Sequence, residues 1–143
     1  MILKLLIAWC LLAVTVAIHG AGLSAMLQRI SSRRPDTRAL PLAWHLVSVA
    51  WSLILLHLAE IAVWALFYWW QRCLPDVESS FYFSGVTYTT VGYGDLVLPQ
   101  EWRLLGPVEG LTGILMCGLS TGFFFAFVSR FLAAKSAFGQ DRP

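Results

Sequence analysis

Three apolar stretches, each longer than the ~20 residues that cross the hydrocarbon core of a bilayer, constrain this chain more than any other feature. They run from residue 2 to 27, from 40 to 70 and from 102 to 132. Each stretch can cross a membrane as a tilted helix. The breaks between them, 28–41 and 71–101, carry arginines, prolines and closely spaced glycines. The pattern predicts an all-α integral membrane protein with three transmembrane helices.

Composition also favours lipid rather than water as the solvent of this chain. Hydrophobic residues make up 58% and charged residues 13% of the sequence, whereas an average soluble domain has about 25% charged residues. The net charge is only +2, and no basic stripe alternates with aromatic residues, so nucleic acid is not an expected partner. The sequence contains no nucleophile with a neighbouring base, no phosphate loop and no complete metal motif, so we do not expect an enzyme.

A shorter segment, residues 79–90, separates the second and third spans. Its 12 residues would form a helix roughly 18 Å long, which reaches only partway through a bilayer. Glu78, Ser79 and Ser80 suit the start of a helix, because side-chain oxygens there accept bonds from free backbone N–H groups and an acid complements the helix dipole. We therefore predict a re-entrant helix that is surrounded by protein rather than by lipid.

Basic residues predict the orientation of the spans. If the first span is retained and is not a cleaved signal peptide, the basic residues divide seven to three between the two sides. The seven are Arg29, Arg33, Arg34, Arg38, Arg130, Lys135 and Arg142, and the three are Lys4, Arg72 and Arg103. Cytoplasmic loops carry the excess of Lys and Arg, so we expect the amino terminus outside the cell membrane and the carboxyl terminus in the cytoplasm. The re-entrant helix then enters from the outside.

The run Thr89-Thr90-Val91-Gly92-Tyr93-Gly94-Asp95 lies between the re-entrant helix and the third span. It resembles the selectivity filter of potassium channels. The order of elements around it, an outer helix, a pore helix, the filter and an inner helix, is similar as well. The resemblance covers about residues 42–132 and implies the two-helix pore module of bacterial potassium channels, with one additional helix in front.

This resemblance divides the chain into three parts. Residues 1–39 are the additional transmembrane helix and a basic cytoplasmic loop, residues 40–132 are the pore module, and residues 133–143 are a short cytoplasmic tail. Within the pore module, the expected elements are the outer helix 40–70, the pore helix 79–90, the filter 90–95 and the inner helix 102–132. The implied assembly is a homotetramer.

The chemistry of potassium selection explains the residues of this run. A potassium ion sheds its water when it is selected, so backbone carbonyl oxygens must replace that water along an axis. Gly92 and Gly94 supply the positive φ angles that turn successive carbonyls toward the axis. The side chains of Val91 and Tyr93 are expected to point outward into packing that holds the loop open. The expected ion-binding residues are Thr90, Val91, Gly92, Tyr93 and Gly94, with K⁺ at the first four. Potassium is the permeant ion, and we expect no other cofactor.

One loop cannot surround an ion, so four copies around a shared axis are required. The filter is expected to be supported by Thr89, Asp95, Tyr82, Phe83 and Val86. Many relatives have two tryptophans at the positions of Tyr82 and Phe83, and some have a glutamate at the position of Val86. A hydrogen bond to Tyr93 and a carboxyl partner for Asp95 are therefore expected to be missing. Tyr82 is a candidate to supply the hydrogen bond to Tyr93 instead. We predict a filter that is prone to collapse.

The third span contains candidate gating residues. Gly113 or Gly118 is a candidate hinge of the inner helix, with Gly113 favoured by its spacing from Arg103. The alternative is that these glycines allow close helix packing. Phe123 and Phe127 bound an aromatic segment near the expected inner mouth, where a ring of four aromatic side chains would close the pore by dewetting.

Four ionisable residues, His19, His57, Glu60 and Glu109, lie within the apolar stretches. Counted inward from the aromatic residues at the outer boundary, Glu60 and Glu109 are expected at the level of the pore helix. One hypothesis is that all four form a polar network that senses pH. A second is that each is neutral and bonded to a neighbouring helix. A third is a metal site formed by His19, His57 and Glu60.

The sequence thus predicts a channel that passes potassium passively through a homotetrameric pore in the lipid bilayer. Two alternatives stay open at this stage. The chain could be a non-conducting assembly or regulatory subunit of a tetrameric channel, or it could form a cation channel with little selectivity for potassium.

Overall fold

The computed structural model describes the backbone of residues 2–32 and 42–140 and the side chains of residues 2–29 and 44–130. The described backbone forms four helices and no strand: α1 (Ile2–Ser32), α2 (Leu42–Trp70), α3 (Val77–Tyr88) and α4 (Leu105–Gln140). Helices α1, α2 and α4 are each long and apolar enough to cross a membrane. The all-helical fold with three spans is therefore confirmed. The predicted loop arginines Arg33, Arg34 and Arg38, Arg142 and the side chain of Lys135 lie outside the described residues.

Helix α3 begins two residues earlier than predicted, because Asp76 and not Glu78, Ser79 or Ser80 caps it. Asp76 has an extended backbone, and its carboxylate accepts a hydrogen bond of 2.7 Å from the backbone N–H of Ser79. This satisfies one of the first N–H groups of the helix, which have no partner inside it. The helix ends at Tyr88 rather than at Thr90, because Thr89 and Thr90 close it with turn hydrogen bonds.

Helix α4 begins three residues later than predicted and extends further. The N–H of Trp102 donates to the carbonyl of Pro99, and the N–H of Leu105 donates to the carbonyl of Trp102, so the residues before Leu105 form a turn. At the other end, α4 continues to Gln140. Most of the segment 133–143 that was predicted as a tail is therefore helical.

A single buried stripe on α4 faces the other helices. Its members recur every three or four residues, which is the spacing of one helix face. They are Leu105, Glu109, Thr112, Met116 and Ser120. The opposite face, which includes Leu111, Leu115 and Phe125, is exposed in the single chain. Helix α4 packs against α1, α2 and α3.

The start of α1, the end of α2 and the start of α4 meet at one end of the bundle. Their buried apolar core consists of Ala8, Trp64, Tyr68, Cys73, Leu74, Phe83, Leu98 and Leu105. The Lys4 ammonium also lies 5.5 Å from the ring centre of Trp102, a distance at which a cation is attracted to an aromatic face. Helix α1 therefore runs antiparallel to α2 and parallel to α4.

Polar and small residues attach α1 to α2 further along the bundle. The indole N–H of Trp64 donates a hydrogen bond of 3.0 Å to the hydroxyl of Thr15, which is fully buried. Gly22 lies against Leu56, and a Cβ at Gly22 would be only 2.6 Å from a methyl carbon of that leucine. Such close contacts between small residues are typical of helix packing in membranes. Helix α1 is thus an integral part of the bundle.

Candidate functional site

Helix α3 is held by a buried face that is mostly polar. Ser80, Phe83, Ser84 and Tyr88 are the buried residues of this helix. They follow one another at intervals of three, one and four residues, which places them on one side of the helix. The ring of Phe83 meets the ring of Tyr68 edge to face, with centroids 5.3 Å apart. This face therefore anchors α3 in the bundle while the other face stays open.

The residues 89–95, which we call the signature loop, fold back onto the end of α3. Thr89 donates to the carbonyl of Gly85 through both its backbone N–H (3.1 Å) and its hydroxyl (2.7 Å). The N–H of Thr90 donates to the carbonyl of Thr87, and the N–H of Gly92 donates to the carbonyl of Val86. These bonds satisfy the last carbonyls of the helix, which have no partner inside it. They also fix where the signature loop leaves α3.

Backbone handedness alternates along the signature loop. The φ angles of Thr90, Gly92 and Gly94 are +62°, +54° and +79°, whereas neither Val91 nor Tyr93 has a positive φ. Alternating hands turn successive N–H groups to one side and the carbonyls to the other. Glycine adopts this conformation without steric cost, whereas for β-branched Thr90 it costs about 1–3 kcal/mol. A strained backbone conformation at one defined position indicates that this conformation serves a function.

The side chains and carbonyls of this loop are open in the single chain. Val91 is 51% exposed and Tyr93 is 71% exposed, so the packing that is expected to hold the loop open is not supplied by their own chain and stays a prediction. Within the hydrogen bonds of the described residues, none is accepted by the carbonyl oxygens of residues 90–94. The exposed valine and tyrosine beside free carbonyls are typical of a surface that contacts another molecule.

Tyr82 supports the signature loop from α3. Its hydroxyl donates a hydrogen bond of 2.8 Å to the carboxylate of Asp95. Asp95 therefore has a phenol hydroxyl as its partner in place of a carboxyl group, and a hydrogen bond from Tyr82 to Tyr93 stays a prediction. The hydrogen bond to Asp95, followed by partial desolvation, raises the pKa of the Tyr82 hydroxyl. Val86 contributes its backbone carbonyl, rather than its side chain, to the loop.

Glycines on α4 allow the end of α3 to approach closely. A Cβ built on Gly113 would lie 1.9 Å from the carbonyl oxygen of Tyr88, and one on Gly110 would lie 3.4 Å from that of Thr87. No side chain fits at Gly113 unless the backbone of α3 moves. Gly113 therefore allows close helix packing here, and a hinge at this residue stays a prediction.

The other candidate gating residues have different surroundings. A Cβ on Gly118 would meet no atom within 4 Å, so the single chain leaves this part of α4 free of close packing. Phe123 and Phe127 are half-buried, and Phe125 between them is 71% exposed. A hinge at Gly118 and an aromatic gate at these residues stay predictions.

Glu60 of α2 is the centre of a buried polar group that includes residues of its neighbouring helices. Its carboxylate accepts a hydrogen bond from the Tyr88 hydroxyl. The Nδ1 atoms of His19 and His57 lie 2.8 Å and 3.3 Å from its two oxygens. Ser120 of α4 lies 3.5 Å from the Nε2 atom of His19. The group therefore involves all four helices.

Glu109 belongs to a separate group, so the prediction of one network with four ionisable members is wrong. The hydroxyls of Tyr68 and Ser84 donate to its carboxylate at 2.7 Å and 2.5 Å. Ser84 and Tyr88 lie one turn apart on α3, and they reach carboxylates on different helices, Glu109 on α4 and Glu60 on α2. Both carboxylates do lie at the level of the pore helix. A pH-sensing role for these groups stays a prediction.

The hydroxyl residues that complete both groups, Tyr68, Ser84 and Ser120, were not predicted from the sequence. Serine is common within membrane helices, and Tyr68 is one of several aromatic residues at the end of its span. Helical spacing was the available signal for Ser84, which lies four residues before Tyr88 on α3. Hydroxyls one turn from an ionisable or phenolic side chain share its face.

Comparison with known families agrees with this geometry. The model of a family described as "Ion channel" matches residues 43–130, which is more than half of the chain. The matched region begins within α2, contains α3 and the signature loop, and ends within α4. The comparisons with curated proteins and with solved structures found no match. The chain therefore belongs to this ion-channel family, whose pore is of the two-helix potassium-channel type.

Proposed function

We propose that the chain is a potassium-selective channel that works as a homotetramer. Potassium passes down its electrochemical gradient through a pore on the fourfold axis. The carbonyl oxygens of Thr90, Val91, Gly92, Tyr93 and Gly94 replace the water of the ion. The amino terminus and the outer mouth of the pore face the outside of the cell, and the carboxyl terminus lies in the cytoplasm.

The alternation of backbone hand in the signature loop is the observation that carries this proposal. Positive φ angles at Thr90, Gly92 and Gly94 line up carbonyls that accept no hydrogen bond from the described residues. Uncharged oxygens in a column suit a monovalent cation that must lose its water and then leave again. A loop with these properties has no evident use in packing, because its side chains are exposed.

The proposed homotetramer is supported by the fact that one chain cannot surround a potassium ion. A single loop offers an ion one carbonyl at each level, whereas a desolvated potassium ion needs oxygens on all sides. Four chains around an axis supply them, and closed cyclic symmetry is the usual form of a homo-oligomer. The exposed side chains of Val91 and Tyr93 then pack against neighbouring subunits and hold the four loops apart.

Potassium flux in liposomes tests this function with a matched pair of variants. Purified protein in potassium-loaded liposomes is expected to collapse an imposed gradient. Gly92→Ala places a side chain at φ +54° without a steric contact, whereas Gly20→Ala adds one in an ordinary helix, also without a contact. We expect the first variant to lose flux and the second to retain it, because the first alone distorts the signature loop.

Native mass spectrometry of the same preparation gives the subunit number, which we expect to be four. A folded tetramer without flux would identify a non-conducting subunit and overturn the proposed activity. Monomers, dimers or trimers that conduct would overturn the proposed pore. Equal flux through the Gly92→Ala and Gly20→Ala variants would show that the signature loop does not line the conduction path.

A further inference from the structure

His19 of α1 and His57 and Glu60 of α2 converge on one point behind the pore helix. Among the side chains that the structure describes, they are the only group of three or more His, Cys, Asp or Glu residues whose ligand atoms all lie within 4.8 Å of one another. We propose that this group binds a zinc ion. The site is distinct from the potassium pathway, and its argument does not rest on the proposed function.

The donor set suits zinc. Two imidazole nitrogens and one carboxylate oxygen are ligands that zinc accepts, and three protein ligands with an open fourth position form a common zinc site. Calcium and magnesium prefer oxygen ligands only, so the two histidines argue against them. The charge also suits a cation, because a carboxylate buried in a membrane is costly unless it is paired.

Distances between the donor atoms fit a tetrahedral ion. Bonds of 2.0–2.1 Å to zinc place neighbouring ligand atoms roughly 3.3 Å apart. His19 Nδ1 lies 2.8 Å from Glu60 Oε1, and one ligand atom of each of the three residues lies within 4.8 Å of the others. His57 Nδ1 also lies 3.3 Å from Oε2, the second oxygen of the same carboxylate. Zinc takes the place of the hydrogen on a bonded Nδ1 atom, and in a neutral imidazole that hydrogen moves to Nε2. Glu60 can bind zinc through Oε1 and still accept the Tyr88 hydroxyl on Oε2.

The surroundings of the site orient its ligands. Histidines that bind metals usually bond through the other ring nitrogen to a nearby polar group. His19 presents Nδ1 to Glu60 and Nε2 to the hydroxyl of Ser120 at 3.5 Å. His19 and Glu60 are buried, whereas His57 is 19% exposed, and its open edge offers the ion a route inward. A hydroxyl or a water molecule fills the fourth position.

Zinc at this point would fasten the additional helix to the pore module. His19 lies on α1, outside the region that matches the ion-channel family, whereas His57 and Glu60 lie inside it. Glu60 in turn bonds to Tyr88, the last residue of the pore helix. The metal would therefore connect α1 through one carboxylate to the helix that holds the signature loop.

Direct metal analysis tests the site. Untagged full-length protein is treated with a chelator, incubated with zinc and freed of unbound metal by gel filtration. We expect about one zinc per chain by mass spectrometry of the metal. In His19→Gln, His57→Gln and Glu60→Gln variants, we expect affinity to fall by more than ~100-fold, beyond the usual effect of residues around a metal site. The matched control is His45→Gln, which removes the third histidine and should retain the metal.

Two further measurements keep the test decisive if a variant is unstable. Circular dichroism without metal identifies variants that keep their helices, and Glu60→Gln keeps an acceptor for Tyr88. Cobalt in place of zinc should give the visible absorption of a four-coordinate site with nitrogen and oxygen ligands. Zinc should raise the melting temperature of the wild-type protein but not that of the folded variants. Wild-type protein that binds no zinc, or folded variants that bind it as tightly, would overturn the proposal.

Discussion

The Tyr82 hydroxyl donates a hydrogen bond of 2.8 Å to the Asp95 carboxylate and so joins the open face of α3 to the end of the signature loop. The other end of that loop is fixed by backbone bonds from Thr89 and Thr90 to α3. The segment with the five carbonyls of the proposed filter is therefore attached to α3 at both ends and, through the N–H of Gly92, in its middle. In the described structure, Tyr93 receives no hydrogen bond from the chain.

Removing the Tyr82 hydroxyl should weaken the filter. In Tyr82→Phe the ring stays but the bond to Asp95 is lost, so we expect potassium current to decay several-fold faster during steady recording. Asp95→Asn is the matched control, because its amide oxygen still accepts a bond from Tyr82, and its effect should be smaller. Decay that is unchanged in Tyr82→Phe would mean that this bond does not stabilise the filter.

The pH dependence of this bond follows from the raised pKa of Tyr82. The neutral hydroxyl is favoured in the folded protein, so its contribution is fully present below the ordinary tyrosine pKa of about 10 and is lost as pH rises through the raised folded value. We expect the difference in current decay between wild type and Tyr82→Phe to be the same at external pH 7 and pH 9. A difference that disappears between these values would contradict this assignment.

Gly113 should tolerate no side chain. In Gly113→Ala, the new methyl group would meet the backbone of Tyr88, so we expect a loss of at least ~1–3 kcal/mol in stability, as in other overpacked sites. Gly122→Ala is the control, because its methyl group meets no atom within 4 Å. Thermal unfolding in detergent should give a lower midpoint for the first variant only. Equal midpoints would mean that α3 does not approach α4 this closely.

The Glu109 group should stabilise the bundle through its acceptor oxygens. Glu109→Ala leaves the buried Tyr68 hydroxyl without its acceptor, which costs about 1–3 kcal/mol. The Ser84 hydroxyl can still donate to the carbonyl of Ile61 at 2.9 Å. Glu109→Gln keeps one acceptor oxygen, so we expect a smaller loss of thermal stability. Exposed Glu101→Gln serves as the control for removal of a charge. If Glu109→Ala and Glu109→Gln unfold at the same temperature, the hydroxyls do not depend on this carboxylate.

Much of the fold could be predicted from the sequence because lipid simplifies the problem. A bilayer requires about 20 apolar residues in each spanning helix, and three such runs are plain in the sequence. The helix ends were less predictable, because they depend on local hydrogen bonds. Asp76 caps α3 through its carboxylate, and the glutamate and serines that follow it were equally suitable by residue type.

The candidate site was only partly predictable, because residue type sets the backbone conformation at some positions and tertiary packing sets it at others. Positive φ at Gly92 and Gly94 follows from glycine itself, whereas positive φ at Thr90 does not follow from threonine. The separation of Glu109 from Glu60 could not be predicted, because it depends on how α3 is rotated between α2 and α4. One-dimensional spacing gives the depth of a residue in the bundle, but it does not give the helix that it faces.

The reversal potential of the reconstituted channel, with potassium on one side of the membrane and sodium on the other, tests the central claim most directly. If carbonyl oxygens of the signature loop replace the water of potassium, the potential should lie far from zero and follow the potassium gradient. A potential near zero in a conducting preparation would show that the pore does not distinguish the two ions and would contradict the account.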